Sequence, residues 1–148
     1  MSVYRKVKLV YTGKATDAEE PIKGPADAVL KIRKELEKEP VEIFIALNLD
    51  GRHRVISQHE VSRGTLTASL VHPRELFRTA IWCGASAIVM AHNHPSGNPG
   101  ASSEDIELTK RLVKAGYLIG INVLDHIIIG VNSHTSLKDN QPELFKEI

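Results

Sequence analysis

Apolar residues in this chain fall into two kinds of run, and the two kinds alternate along it. Between Pro25 and Glu39, Val29, Ile32 and Leu36 form one stripe with Lys and Glu elsewhere, which predicts a helix opened by Pro25 and ended by Pro40. Residues 41–49 are instead apolar on both parities, the pattern of a central strand covered on both faces. Asp50-Gly51 predicts a tight turn into a second strand from about His53 to Ser62. Pro73 suits the first position of another helix, with Leu76, Phe77, Ala80, Ile81 and Gly84 as its packing face. Ser86 to Ala91 is a further apolar run without alternation, and Ile106, Thr109, Leu112 and Val113 give the stripe of a helix starting at Ser102. Ile121 to Val131 reads as a buried strand interrupted by Asp125-His126, with a last edge strand over Ser133–Leu137. At the N-terminus, Val7, Leu9 and Tyr11 alternate with Lys6 and Lys8, which suits a protected edge strand from Tyr4 to Tyr11. The mixed order predicts a three-layer α/β domain over residues 24–148, preceded by an edge strand and polar connector in 1–23, the whole forming one globular unit.

Composition narrows the classes of function. At 148 residues and 42% hydrophobic, one domain with a real core is the natural count. A net charge of +1 gives no general drive toward nucleic acid or an anionic membrane. The single cysteine, Cys83, excludes an internal disulfide framework, fits a cytoplasmic location, and is expected in buried packing at the end of a helix stripe. No signal peptide is visible and no stretch reaches membrane-spanning length, so no membrane association is expected.

The candidate chemistry lies in residues 92–105. His92 and His94 are one residue apart, and Ser102 and Asp105 follow in the loop and first helical turn beyond them. Two imidazoles and a carboxylate with an open fourth position make a catalytic zinc pattern. Ser102 and Asp105 also have the Ser-x-x-Asp spacing of a helix N-terminus, and the two roles are compatible. The histidines leave the carboxyl end of an apolar strand, where ligands gather in open α/β sheets. Glu42 shares a strand face with Phe44 and Ala46, so an acid is aimed at an apolar layer, as a general base beside a metal site requires. Other histidines have plainer readings. His53 and His59 share one face of the second strand, His72 is the N-cap before Pro73, His134 sits near a turn, and Asp125-His126 is expected as a buried, hydrogen-bonded structural pair.

The spaced set His92, His94, Ser102 and Asp105 resembles the JAMM metalloprotease signature. The flanking text is similar to the RadC family: Gly64-Thr65, Val71-His72-Pro73-Arg74-Glu75, the segment Ala91 to Gly97, and Val123-Leu124-Asp125-His126. The resemblance runs over roughly residues 24–138. It implies a JAMM/MPN fold related to the cytidine deaminases, with His92, His94 and Asp105 as zinc ligands. It also implies Ser102 as the serine that assists the oxyanion and Glu42 as the catalytic acid. The expected activity is hydrolysis of an amide bond in a protein or peptide, the substrate class coming from the resemblance, since three ligands alone fit several hydrolases. A nucleobase deaminase is disfavoured, because that chemistry needs His-x-Glu and Cys-x-x-Cys and the chain has one cysteine. The alternative from another class is a DNA-repair-associated or protein-interaction module with a zinc site and little peptidase activity. Longer relatives carry an upstream DNA-binding segment, whereas this chain begins almost directly with the catalytic domain, which leaves nucleic acid an open partner. Oligomeric state is not legible.

Overall fold

A computed structural model describes residues 4–8, 10, 20–64 and 71–146. Its element order is α1 (Pro25–Leu36), β1 (Glu42–Leu49), β2 (Val55–Gly64), α2 (Pro73–Trp82), β3 (Ala87–Asn93), α3 (Ser103–Ile119), β4 (Asn122–Gly130) and β5 (Ser133–Ser136). A short helix, α4 (Leu137–Asn140), and a 3-10 turn (Pro142–Phe145) follow. The strands form one mixed sheet in the order β2-β1-β3-β4-β5. Among the described strands only the neighbours β3 and β4 run parallel, and helix α3 between them supplies the crossover that a parallel pair needs.

Strand alternation divides the core in two. Ile43, Ile45 and Leu47 of β1, Val89 and Ala91 of β3, and Ile127 and Ile129 of β4 pack with Ile32 and Leu36 of α1 on one face. Phe44 and Ala46, Ile88 and Met90 pack with Leu76, Phe77 and Leu112 of α2 and α3 on the other. The sheet is therefore covered on both sides, which explains why β1 and β3 are apolar on both parities. This is the three-layer α/β arrangement that the pattern predicts.

Several boundaries differ. Residues 4–8 and 10 carry no strand, and Tyr4, Val7 and Val10 are exposed; an alternating segment stays out of a sheet when neither edge pairs with it, and β2 and β5 take no partner among these residues. Leu9 and Tyr11 lie outside the described residues. Helix α1 ends at Leu36 rather than Glu39: Pro40 has no N–H to offer the Leu36 carbonyl, which instead accepts from Glu39 N at 3.3 Å. The Asp50-Gly51 turn widens into a loop in which Asp50 Oδ1 accepts from the N–H groups of Arg52 and Arg54, at 2.9 Å each. His53 sits in that loop with φ of 61°, so it leaves the strand face, and β2 begins only at Val55. Ile81 is 56% exposed and Gly84 falls beyond α2, so the face of α2 is Leu76, Phe77 and Ala80. Cys83 is half-buried against the second core.

None of the described helices is long and apolar enough to cross a membrane.

Candidate metal centre

The last residues of β3 and the first turn of α3 create the site. His92 is fully buried at the end of β3, directly across from Phe44 of β1, whose ring stacks on it at 5.9 Å. His94 stands just beyond the strand. Its N–H donates to Ile129 O of β4 (3.0 Å), which carries the parallel ladder past the end of β3. The loop then stays against β4, because Val131 N donates to Gly97 O (3.0 Å). Gly97 has φ of 85°, and a side-chain carbon on Gly130 would collide with the Gly97 carbonyl. Glycine at these two positions permits the close approach. Arg33 of α1 fixes the far side, donating to Gly130 O (3.3 Å) and Ser133 O (3.1 Å).

Helix α3 begins with a complete capping box. Ser102 is the N-cap: its Oγ accepts from Asp105 N (3.1 Å), while Asp105 Oδ2 accepts from Ser102 N (2.9 Å). Asp105 is thereby held over the histidines, with Oδ1 3.2 Å from His92 Nε2 and Oδ2 3.0 Å from His94 Nε2. The two Nε2 atoms are 3.0 Å apart. His92, His94 and Asp105 thus bring one ligand atom each within 4.8 Å of the others.

The donor set fits a metal ion. His94 Nδ1 lies 2.8 Å from Asn98 O, and a carbonyl can only accept, so neutral His94 carries its proton on Nδ1. Its Nε2 then faces a carboxylate oxygen 3.0 Å away, across a gap that a proton or a metal ion can bridge. Two electron-rich atoms at that distance repel unless a cation lies among them.

Glu42, the first residue of β1, is half-buried. It lies at the same end of the sheet and on the same face as Phe44, the register partner of His92. Its flanking backbone is tied to β3 by Asn93, the residue between the two histidines. Asn93 Oδ1 accepts from Ile43 N (2.7 Å), and its Nδ2 donates to Val41 O (2.9 Å). Ser102 Oγ, accepting in the cap, keeps its own proton for another acceptor.

Asp125 and His126 do not pair through their side chains. Adjacent strand residues point to opposite faces, so the two part. Asp125 accepts from Ser136 Oγ (2.7 Å), Lys138 N (3.0 Å) and His126 N (2.7 Å) on the α1 side, and burial pushes its carboxyl up against those bonds. His126 turns to the other face, where its Nε2 is 2.7 Å from His92 Nδ1 and its Nδ1 is 2.6 Å from Thr109 Oγ1. Burial, then the neighbouring His92, push this imidazole well below its ordinary value. His126, Thr109 and Asn93 are the contributors that the motif spacing does not reveal. The available signal is parity: His126 falls on the same strand face as His92 in the parallel register, where Met90 pairs with His126. The plainer reading of His72 holds, since its Nδ1 accepts from Arg74 N (3.2 Å) at the start of α2. His59 is half-buried on β2, and burial pushes its imidazole down.

A five-stranded mixed sheet flanked by helices, with a His-His-Asp set at the end of its central parallel pair, defines a JAB/MPN-type domain with a possible metal site. The family model of the RadC-like JAB domain matches residues 22–142, and the chain belongs to that family. Among its relatives is a UPF0758 protein of Alkaliphilus oremlandii, 50% identical over 120 residues that cover 81% of this chain and 52% of the relative. A UPF0758 protein of Methanosarcina mazei is 44% identical over 127 residues, covering 84% and 56%. Another, of Symbiobacterium thermophilum, is 54% identical over 99 residues, covering 67% and 42%. The chain spans about half the length of the curated relatives it matches.

Proposed function

We propose that this domain is a zinc-dependent hydrolase of amide bonds, a metallopeptidase or isopeptidase acting on a protein or peptide. The observation that carries the reading is the convergence of His92 Nε2, His94 Nε2 and both Asp105 oxygens within 3.2 Å of a neighbour in the set, at the edge of a buried sheet. When bound there, zinc supplies Lewis-acid polarisation of the scissile carbonyl and lowers the pKa of a water toward neutrality. Glu42 takes a proton from the attacking water and returns it to the leaving amine. Ser102, whose hydroxyl proton is not used by the helix cap, donates a hydrogen bond to the developing oxyanion. Phe44, packed on the rings of His92 and His126, keeps the back of the site apolar, so the charged groups interact with little screening.

The test is cleavage of a peptide library and of isopeptide-linked substrates by the zinc-loaded chain, beside Glu42→Gln. The variant is expected to keep its zinc while turnover falls by a factor on the order of a hundred or more. Loss of metal from Glu42→Gln would make Glu42 a ligand and redraw the roles. A zinc-loaded wild type that cleaves nothing but retains DNA or a protein partner would return the domain to the interaction-module reading.

A further inference from the structure

The ring of His92 faces the ligand set with Nε2, and its other nitrogen is buried behind it. That Nδ1 lies 2.7 Å from His126 Nε2, His126 Nδ1 lies 2.6 Å from Thr109 Oγ1, and Thr109 Oγ1 lies 2.6 Å from the Asp105 carbonyl oxygen. The far end of this series gives the order in which its protons can be arranged. A carbonyl only accepts, so the single hydroxyl proton of Thr109 goes to Asp105 O. Thr109 then offers His126 only lone pairs, and His126 must carry its proton on Nδ1. Being neutral in a fully buried position, His126 accepts at Nε2. His92 must therefore donate from Nδ1, which leaves its Nε2 bare and aimed at the ligand set.

We propose that Thr109 and His126 form a proton-ordered relay that holds His92 in the one neutral tautomer able to bind a metal ion at Nε2. Both are positioning residues, and the proposal rests on the metal-centre reading given above. The relay runs from the backbone of one ligand, Asp105, to the ring of another, His92, so helix α3 and strands β3 and β4 are locked into one ligand geometry. Outer partners of metal-bound histidines act in this way, and losing one costs about 10–100-fold in metal affinity.

Thr109→Val keeps the side-chain shape and removes the hydroxyl. His126 is then free to carry its proton on Nε2 and donate to His92 Nδ1, which drives the His92 proton onto Nε2, where the metal should bind. Zinc affinity, measured by competition with a chromophoric chelator, is expected to fall about 10–100-fold in Thr109→Val and to be restored by Thr109→Ser. Long-range proton–nitrogen spectra of the histidine-labelled chain supply the second readout. In the wild type, metal-free and zinc-loaded, the protons of His92 and His126 are expected on Nδ1. In Thr109→Val, the His126 proton is expected on Nε2. Wild-type spectra with the His126 proton on Nε2 would overturn the relay even if the variant fails to fold. So would zinc affinity in folded Thr109→Val within about twofold of wild type. A wild type that binds no zinc would instead sink the metal-centre reading, while its tautomers still report on the relay.

Discussion

Asn93 of β3 ties that strand to β1, which carries Glu42, and cutting that tie has a calculable cost. Its side chain is 2% exposed, and it bonds the two backbone groups flanking Glu42: Ile43 N at 2.7 Å and Val41 O at 2.9 Å. A weaker contact reaches Glu39 O at 3.4 Å. Alanine at this position strands the buried Ile43 N–H, at about 1–3 kcal/mol. The Val41 carbonyl belongs to a residue 38% exposed, so water recovers part of its loss. The expected total is about 2–4 kcal/mol, a large share of the roughly 5–15 kcal/mol that a domain possesses. Urea unfolding of the metal-free chain would read this directly, and native-state hydrogen exchange would locate it, with the Ile43 amide quickened far more than that of Leu47. Zinc affinity is expected to hold, because His92 and His94 keep their own bonds to β4 and the loop. Turnover is expected to fall on the order of a hundredfold, since a displacement of about 1 Å in a reacting group has that effect. A stability change under about 0.5 kcal/mol with unaltered Ile43 exchange would refute the claim that this side chain anchors β1.

Three further outcomes are expected. His92→Ala and Asp105→Ala should each lose most of the zinc by elemental analysis, and full occupancy in both would remove the ligand assignment. Ser102→Ala should cost on the order of 1 kcal/mol as a lost helix cap and roughly two orders of magnitude in turnover with zinc in place. Ser102→Asp, which caps but cannot donate when ionised, should fold and remain largely inactive; near-normal turnover in both would reduce Ser102 to a cap. Gly130→Ala should cost about 1–3 kcal/mol by overpacking against Gly97 O, Ser133 and Pro99. It should also loosen the metal loop, and an unchanged melting temperature and zinc affinity would show that the loop yields freely.

What was legible in the sequence was local. The capping box spans Ser102 to Asp105, and the chemistry of both ends is written within one helical turn. The doubly covered strands showed themselves as apolar runs on both parities, and β1 and β3 lie in the sheet interior as that pattern requires. Helix α3 and its stripe through Thr109 and Leu112 were readable from period alone. What escaped depended on pairing between distant strands. Asp125 and His126 read as a couple because they are neighbours in the chain, yet the pleat sends them to opposite cores. Asn93 read as the spacer between two histidines, yet its side chain extends the β1–β3 ladder beyond its last backbone pair. No periodicity announces either role, because each depends on a register that only the packed sheet supplies. The N-terminal alternation is not matched by a strand at residues 4–8 and 10, although the outer edges of β2 and β5 take no partner among the described residues, so alternation alone does not secure a pairing.

The three proposed ligands come from one short stretch of chain, with His94 and Asp105 eleven positions apart. A chelating segment that compact needs little loop closure, so on the proposed zinc reading the unfolded chain is expected to keep some affinity for the ion. Stabilisation by a ligand counts only the excess of its affinity for the folded form over that for the unfolded one. Zinc will therefore raise the melting temperature by less than its dissociation constant from the native protein implies. The shortfall is a direct measure of how much affinity the packed sheet, the helix cap and the buried imidazole behind His92 add to what the peptide segment already has.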